Sequence, residues 1–244
     1  MPSAVRYHHS WPSDSRIAFE SIIAAHGGWD AWASLQIVEL ELTAFDGALL
    51  RLKGYKRSFQ RPARVVVHVK SRRVEFRYDA HSDWFEDGAV SLPVKDLKVA
   101  DGRTLFRGTT FETWGAEHYA YFFGYSFANY CSYPFILPAF ELTGSDPAAG
   151  VFSIAFPTAF HTHSPRQTFI FDARGLLRRH DYRARLAGPL VYGAHLTRDY
   201  TLYRGIQVPR TRDVRARLGS WATPIPGIRA SLHFGLISTE QAKP

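Results

Sequence analysis

The chain has 244 residues, 45% hydrophobic and 15% aromatic, enough apolar matter for the core of one large domain, which excludes a disordered chain. Thirty Lys and Arg against 22 Asp and Glu give a net charge of +8 with no solid block of like charge, which excludes a basic tail. One cysteine, Cys131, excludes an internal disulfide, and no apolar run reaches the roughly 20 residues that a bilayer-spanning helix needs.

Arg6, His8, His9, Trp11, Pro12 and Asp14 break any apolar signal core, so a soluble cytoplasmic protein without membrane insertion is expected. Residues 1–15 read as an N-terminal arm. The first helix begins near Ser13, Asp14 or Ser15, whose side-chain oxygens can cap free N–H groups, and Ile17, Ile22 and Ile23 form part of its apolar stripe. Gly27-Gly28 stops it, and residues 29–35 read as a short second helix. Over residues 36–44, Val38, Leu40 and Leu42 alternate with Glu39 and Glu41, the pattern of a strand with one wet face. Asp46-Gly47 signals a turn, and the chain is expected to return as a strand over residues 48–55. Val65, Val67 and Val69, then Val74, Phe76 and Tyr78, alternate with charged residues and continue an antiparallel meander.

Residues 111–135 hold eleven aromatics, and period two fails there. A helix over residues 113–131 would be apolar nearly all round, so other elements must enclose it. Strands resume near Val151, Gln167, Leu176, Val191, Gln207 and Arg229, punctuated by Gly175, Gly188, Gly205 and Gly219. The fold class is therefore α+β in a single domain over residues 1–244. A large curved antiparallel sheet, an incomplete β-barrel, is expected to wrap the aromatic helix and leave an apolar cavity.

The opening Ala25-His26-Gly27-Gly28-Trp29-Asp30-Ala31-Trp32 resembles the LolA/LolB-like superfamily of lipoprotein carriers. So does the late run Phe169-Ile170-Phe171-Asp172 through Gly175-Leu176-Leu177 to Tyr200, Gly205-Ile206 and Val208-Pro209. The resemblance implies a helix-covered half-barrel around an apolar cavity. Tyr121-Phe122-Phe123-Gly124-Tyr125 and Arg178-Arg179-His180-Asp181-Tyr182 are similar to a cytoplasmic, uncharacterised branch. The superfamily's export signal and lipoprotein cysteine are missing, so the fold is expected to carry over and the periplasmic carrier activity is not.

Strand parity selects the candidate site residues. Over residues 176–186 the even positions Leu176, Arg178, His180, Tyr182, Ala184 and Leu186 oppose Arg179, Asp181, Arg183 and Arg185, which sends His180 and Tyr182 inward. His180 is then either a hydrogen-bonded core histidine or a catalytic acid or base. Over residues 207–218, Arg210 and Arg212 share parity with Val208 and Val214 and would face the concave side, unless a bulge at Pro209 turns both outward. A buried arginine demands an anion: a substrate carboxylate or enolate oxygen, or a protein carboxylate such as Glu112, Glu117 or Asp199.

His161-Thr162-His163, if extended, presents two imidazoles on one face but lacks a third metal ligand. The alternative is a loop pair with His163 at a cavity mouth as proton donor or acceptor. No metal and no cofactor is assigned. On the aromatic helix, His118, Phe122, Tyr125 and Asn129 form one stripe, either a pocket wall or a satisfied core face. Parity leaves His195 undecided, because Arg198 falls among the apolar even positions of its strand.

Dinucleotide, P-loop, zincin and serine-hydrolase motifs are absent, and Cys131 reads as an inert thiol. The twelve arginines between residues 166 and 217 alternate along strands like a wet outer face, away from the aromatics, which argues against nucleic acid. Two functions remain. One is a cofactor-independent acid/base enzyme, a cyclase, isomerase or lyase, acting on an apolar polyketide- or terpenoid-like molecule. His180 would be its acid or base, Tyr182 or Tyr125 its donor, Arg212 its oxyanion holder and His163 a further proton carrier, with His118, Phe122, Tyr125, Asn129 and Arg210 binding the substrate. The other is a non-catalytic holder of a hydrophobic ligand or acyl chain. A structural role would show as an interior filled by side chains.

Overall fold

The computed structural model describes residues 7–55 and 61–235; the first six residues of the expected arm lie outside them. The chain opens with α1 (Ser13–Ala25) and α2 (Gly28–Ser34), then β1 (Ile37–Asp46), α3 (Ala48–Leu52) and the short strands β2 (Arg64–His68), β3 (Arg73–Arg77), β4 (Ser82–Glu86), β5 (Ala89–Leu92) and β6 (Leu97–Val99). α4 (Ala116–Tyr130) crosses to β7 (Glu141–Asp146), β8 (Val151–Ala155), β9 (Arg166–Phe171), β10 (Leu177–Arg183), β11 (Tyr192–Tyr203), β12 (Ile206–Leu218) and β13 (Trp221–Phe234).

These strands form one 13-stranded sheet in the order β6-β5-β4-β3-β2-β1-β13-β12-β11-β10-β9-β8-β7. Two meanders are thus joined where β1 pairs with β13, in a register that sets Leu40 opposite Phe234. The sheet stays open between β6 and β7, the α+β incomplete barrel expected from the sequence. Every residue of α4 from Tyr119 to Asn129 is buried, so the helix that was apolar all round is enclosed. Gly124 makes this possible on one side, since a Cβ there would lie 2.3 Å from the Phe85 side chain on β4.

Several local expectations are corrected. Ile17 is 73% exposed, and Phe19 instead joins Ile22 and Ile23 in the core. Trp11 is buried and its indole N–H donates to the Phe140 carbonyl at 2.9 Å, so the described part of the arm is anchored. The helix begins at Ser13 as expected, with Pro12 at the N-cap position, and the Asp14 carboxylate accepts the Ser15 backbone N–H at 2.7 Å. The expected strand after Gly47 is the helix α3. Ala-Leu-Leu-Arg-Leu has no β-branched residue and consists of strong helix formers, so local propensity outweighs the alternation.

No strand is expected from the sequence at β4, β5, β6 or β7. In β4 the inward positions are Asp83 and Phe85, and the polar one hides the alternation; in β7 only Leu142 is buried. On the outer face of the late strands the arginines meet carboxylates. Asp213, fully buried beneath them, accepts from Arg198 at 2.5 Å and Arg229 at 3.2 Å, and Asp181 accepts from Arg179 at 2.7 Å. Among the described residues no helix is long and apolar enough to cross a membrane.

Candidate functional site

Between α4 and the concave side of β10–β13 lie two adjoining chambers. The inner one, about 40 Å³, is walled by Phe122, Ser126 and Tyr130 of α4, Tyr182 of β10, His195 of β11, Arg212 of β12 and His163 from the loop after β8. The outer one, about 440 Å³, is mostly apolar and opens between α3 and the ends of β11 and β12, with Leu49, Leu52, Leu190, Tyr192 and Leu218 in its walls. Phe122, Tyr182, Val214 and Ile228 line both.

Tyr130, the last residue of α4, organises the inner chamber. Its hydroxyl meets His163 Nε2 at 2.6 Å, its ring stands edge-on to His195 at 4.6 Å, and the Arg212 guanidinium lies 4.8 Å from its centroid. His163 also bonds the Tyr125 hydroxyl through Nδ1 at 2.9 Å and stacks on Tyr182 at 4.1 Å. Burial holds His163 at about 3, so the ring is neutral and each of its nitrogens is satisfied by a tyrosine.

His180 faces inward as parity required, but it lies behind the chamber, stacked on Phe169 at 4.4 Å. Its Nε2 meets the Gln167 amide oxygen, and the Gln167 nitrogen donates to the Ser164 carbonyl at 2.8 Å; the amide oxygen can only accept, so Nε2 of His180 carries the proton. Its cross-strand partner is His195, which does line the chamber. His195 is 1% exposed, and neither ring nitrogen has a hydrogen-bond partner among the described residues. Burial, then the Arg212 charge, keeps its pKa well below the ordinary histidine value.

Arg212 and Arg210 part company. Arg212 is 7% exposed; its Nη2 reaches only the Tyr130 carbonyl at 3.5 Å and its Nε has no partner. Arg210 is exposed and donates to the Asp199 carbonyl at 3.4 Å, so its placement in the cavity is corrected. The cause is Asp199, whose φ of +56° breaks the pleat of β11 opposite it. Arg178 is likewise exposed, because a register shift between Leu177 and Arg179 interrupts the parity that included it. None of the three carboxylates offered for Arg212 meets it. Glu112 accepts from the Arg107 N–H, Glu117 from Lys95, and Asp199 from Thr211.

His161 and His163 diverge on a loop instead of sharing a strand face, and His163 is buried at 3% exposure instead of standing at a mouth. Arg103 donates to His161 Nε2 at 3.2 Å, so the Nδ1–H donates to the Tyr121 hydroxyl at 2.9 Å. Among the described residues no group of three or more His, Cys, Asp or Glu is placed to hold a metal. The helix stripe also divides. Phe122 walls both chambers and Tyr125 supports His163, whereas His118 accepts from the Gly115 N–H at the helix start and Asn129 bonds Arg72 and the His161 carbonyl. α4 lines the chamber with Phe122, Phe123, Ser126, Phe127 and Tyr130, and the four-residue spacing of Phe122, Ser126 and Tyr130 is marked by the one serine of α4. Burial pushes the Cys131 thiol up to about 12, which keeps it protonated.

No protein-family model matches the sequence, and no curated protein matches it. Among solved structures the chain is similar to a DUF1329 family protein from Desulfovibrio piger, at 13% identity over 92% of each chain with a TM-score of 0.40.

Proposed function

We propose that the protein binds an apolar small molecule, its body in the outer chamber and its polar end in the inner one. The observation that carries this reading is the shared wall. An apolar chamber of about 440 Å³ adjoins, across Phe122, Tyr182, Val214 and Ile228, a buried chamber in which both His195 nitrogens and the Arg212 Nε lack partners among the described residues. The resemblance to half-barrel lipoprotein carriers supports it, with a cytoplasmic small molecule in place of a lipoprotein cargo. Native mass spectrometry of freshly purified protein tests it, together with titration by Nile red, an uncharged apolar dye. Wild type is expected to hold a co-purifying ligand or the dye, and Gly193→Leu, whose added side chain meets the Tyr182 ring at the outer wall, to hold at least tenfold less. Equal dye binding by both proteins, or none by either, refutes the reading.

His195 favours a second reading, acid/base catalysis on the same ligand. A neutral imidazole with both nitrogens unpartnered can take a proton from a carbon beside a carbonyl and return it at another carbon, an isomerisation that consumes no cofactor. The Arg212 guanidinium or the Tyr182 hydroxyl would hold the oxygen charge meanwhile. Recovery of the ligand at unchanged mass but altered retention time supports this reading; recovery unchanged leaves a holder.

A further inference from the structure

We propose that the ligand is an apolar carboxylic acid whose carboxylate sits in the inner chamber on Arg212 and His195; this rests on the cavity reading above and names its substrate class. Arg212 is a permanent cation, more than nine-tenths buried, with no carboxylate within ion-pair distance among the described residues. Its neighbour in sequence, Asp213, lies on the opposite face and is surrounded by Arg198, Arg215 and Arg229. A counter-ion therefore exists one residue away, and strand parity denies it to the chamber.

Nothing else in the chamber neutralises the guanidinium. His163 and His195 are uncharged, and the hydroxyls of Tyr130 and Tyr182 are held protonated by burial. A buried charge without a partner is costly in the resting protein. An enolate formed only during turnover would leave it uncompensated for most of the cycle, whereas a carboxylate compensates it as long as the ligand is bound. The donors match as well. Arg212 Nε–H and one N–H of the neutral His195 are both free, and a carboxylate accepts at two oxygens.

Size and polarity restrict the class further. At about 40 Å³ the inner chamber exceeds the roughly 10–15 Å³ that one water needs by only a few waters' worth, which suits a three-atom head group. The hydrocarbon body then falls in the outer chamber against Leu49, Val214 and Ile228.

Calorimetric titration with decanoic acid and decanamide, which share a tail and differ in charge, tests the proposal. Wild type is expected to bind the acid at least tenfold more tightly, and Arg212→Met to bind both equally. A second measurement needs no variant: the carbon-13 shift of carboxyl-labelled decanoic acid should show the bound head group still ionised at a pH where free acid is protonated. Equal binding of acid and amide by wild type, or a bound head group that titrates like free acid, overturns the proposal and leaves the cavity reading intact. Nile red without affinity for wild type removes the cavity reading itself.

Discussion

Two histidines in one chamber, one saturated with hydrogen bonds and one with none, make opposite demands on stability. His163 joins the Tyr125 and Tyr130 hydroxyls, and removing it takes a buried hydrogen bond from each. Each lost buried bond costs roughly 1–3 kcal/mol, so His163→Phe should destabilise by about 2–6 kcal/mol. His195→Phe removes a polar ring that makes no bond, and should change stability by less than about 1 kcal/mol or raise it. Urea unfolding of the two variants checks the contrast, and comparable losses would show that His195 is bonded after all. The same variant should abolish any proton transfer on the ligand. In the sequence these residues look alike. Parity sent His180 inward, and only the pairing of His180 with His195 across β10 and β11 shows which of the two reaches the chamber.

At the scale of elements, α4 was legible because its composition leaves no polar face, which is a purely local property. α3 was misread as a strand because its three leucines fit either period, and the absence of β-branched residues was the overlooked signal. The seating of α4 on the early strands was not legible at all. It depends on Gly124, where Phe85 approaches so closely that a methyl group has no room. Intrinsic helix propensity makes Gly124→Ala stabilising by about 1 kcal/mol, whereas overpacking against Phe85 costs about 1–3 kcal/mol. Packing wins, because the contact is with a ring on a strand held from both sides by β3 and β5. Gly124→Ala should therefore lower stability, and a second change, Phe85→Leu, should recover part of the loss in a double-mutant cycle. A more stable Gly124→Ala protein would show that α4 can shift within the sheet.

For the whole molecule, enclosing neutral histidines makes the fold sensitive to acid. Burial holds His26 at about 4 and His163 at about 3, and drives His180 and His195 well below the ordinary value of 6.5. Once unfolded, all four take up protons near 6.5, so below that pH the unfolded chain binds more protons than the folded one. The stability they contribute is complete above about pH 6.5 and falls by roughly 1.4 kcal/mol per pH unit for each histidine, down to about pH 4 for His26 and lower for His163. Urea midpoints should drop steeply between pH 6.5 and 4, and less steeply in His26→Gln, which removes one of the four. A midpoint flat across that range would mean that these imidazoles are charged in the folded state.

By itself the sequence determined what repeats locally: the strands of both meanders that alternate cleanly, their glycine turns, and a helix apolar on every side that only a curved sheet can surround. Periodicity carries this because side chains two or four residues apart share a face whatever the rest of the chain does. The tertiary structure alone decided which faces meet. The register shift at Leu177 and Arg179 and the left-handed Asp199 opposite Arg210 interrupt strand parity, and the pairing of β1 with β13 joins segments distant in sequence. A chamber closed by an unpaired guanidinium and an unbonded imidazole is the product of those pairings, since burial and lack of partners belong to three-dimensional surroundings and not to any residue type.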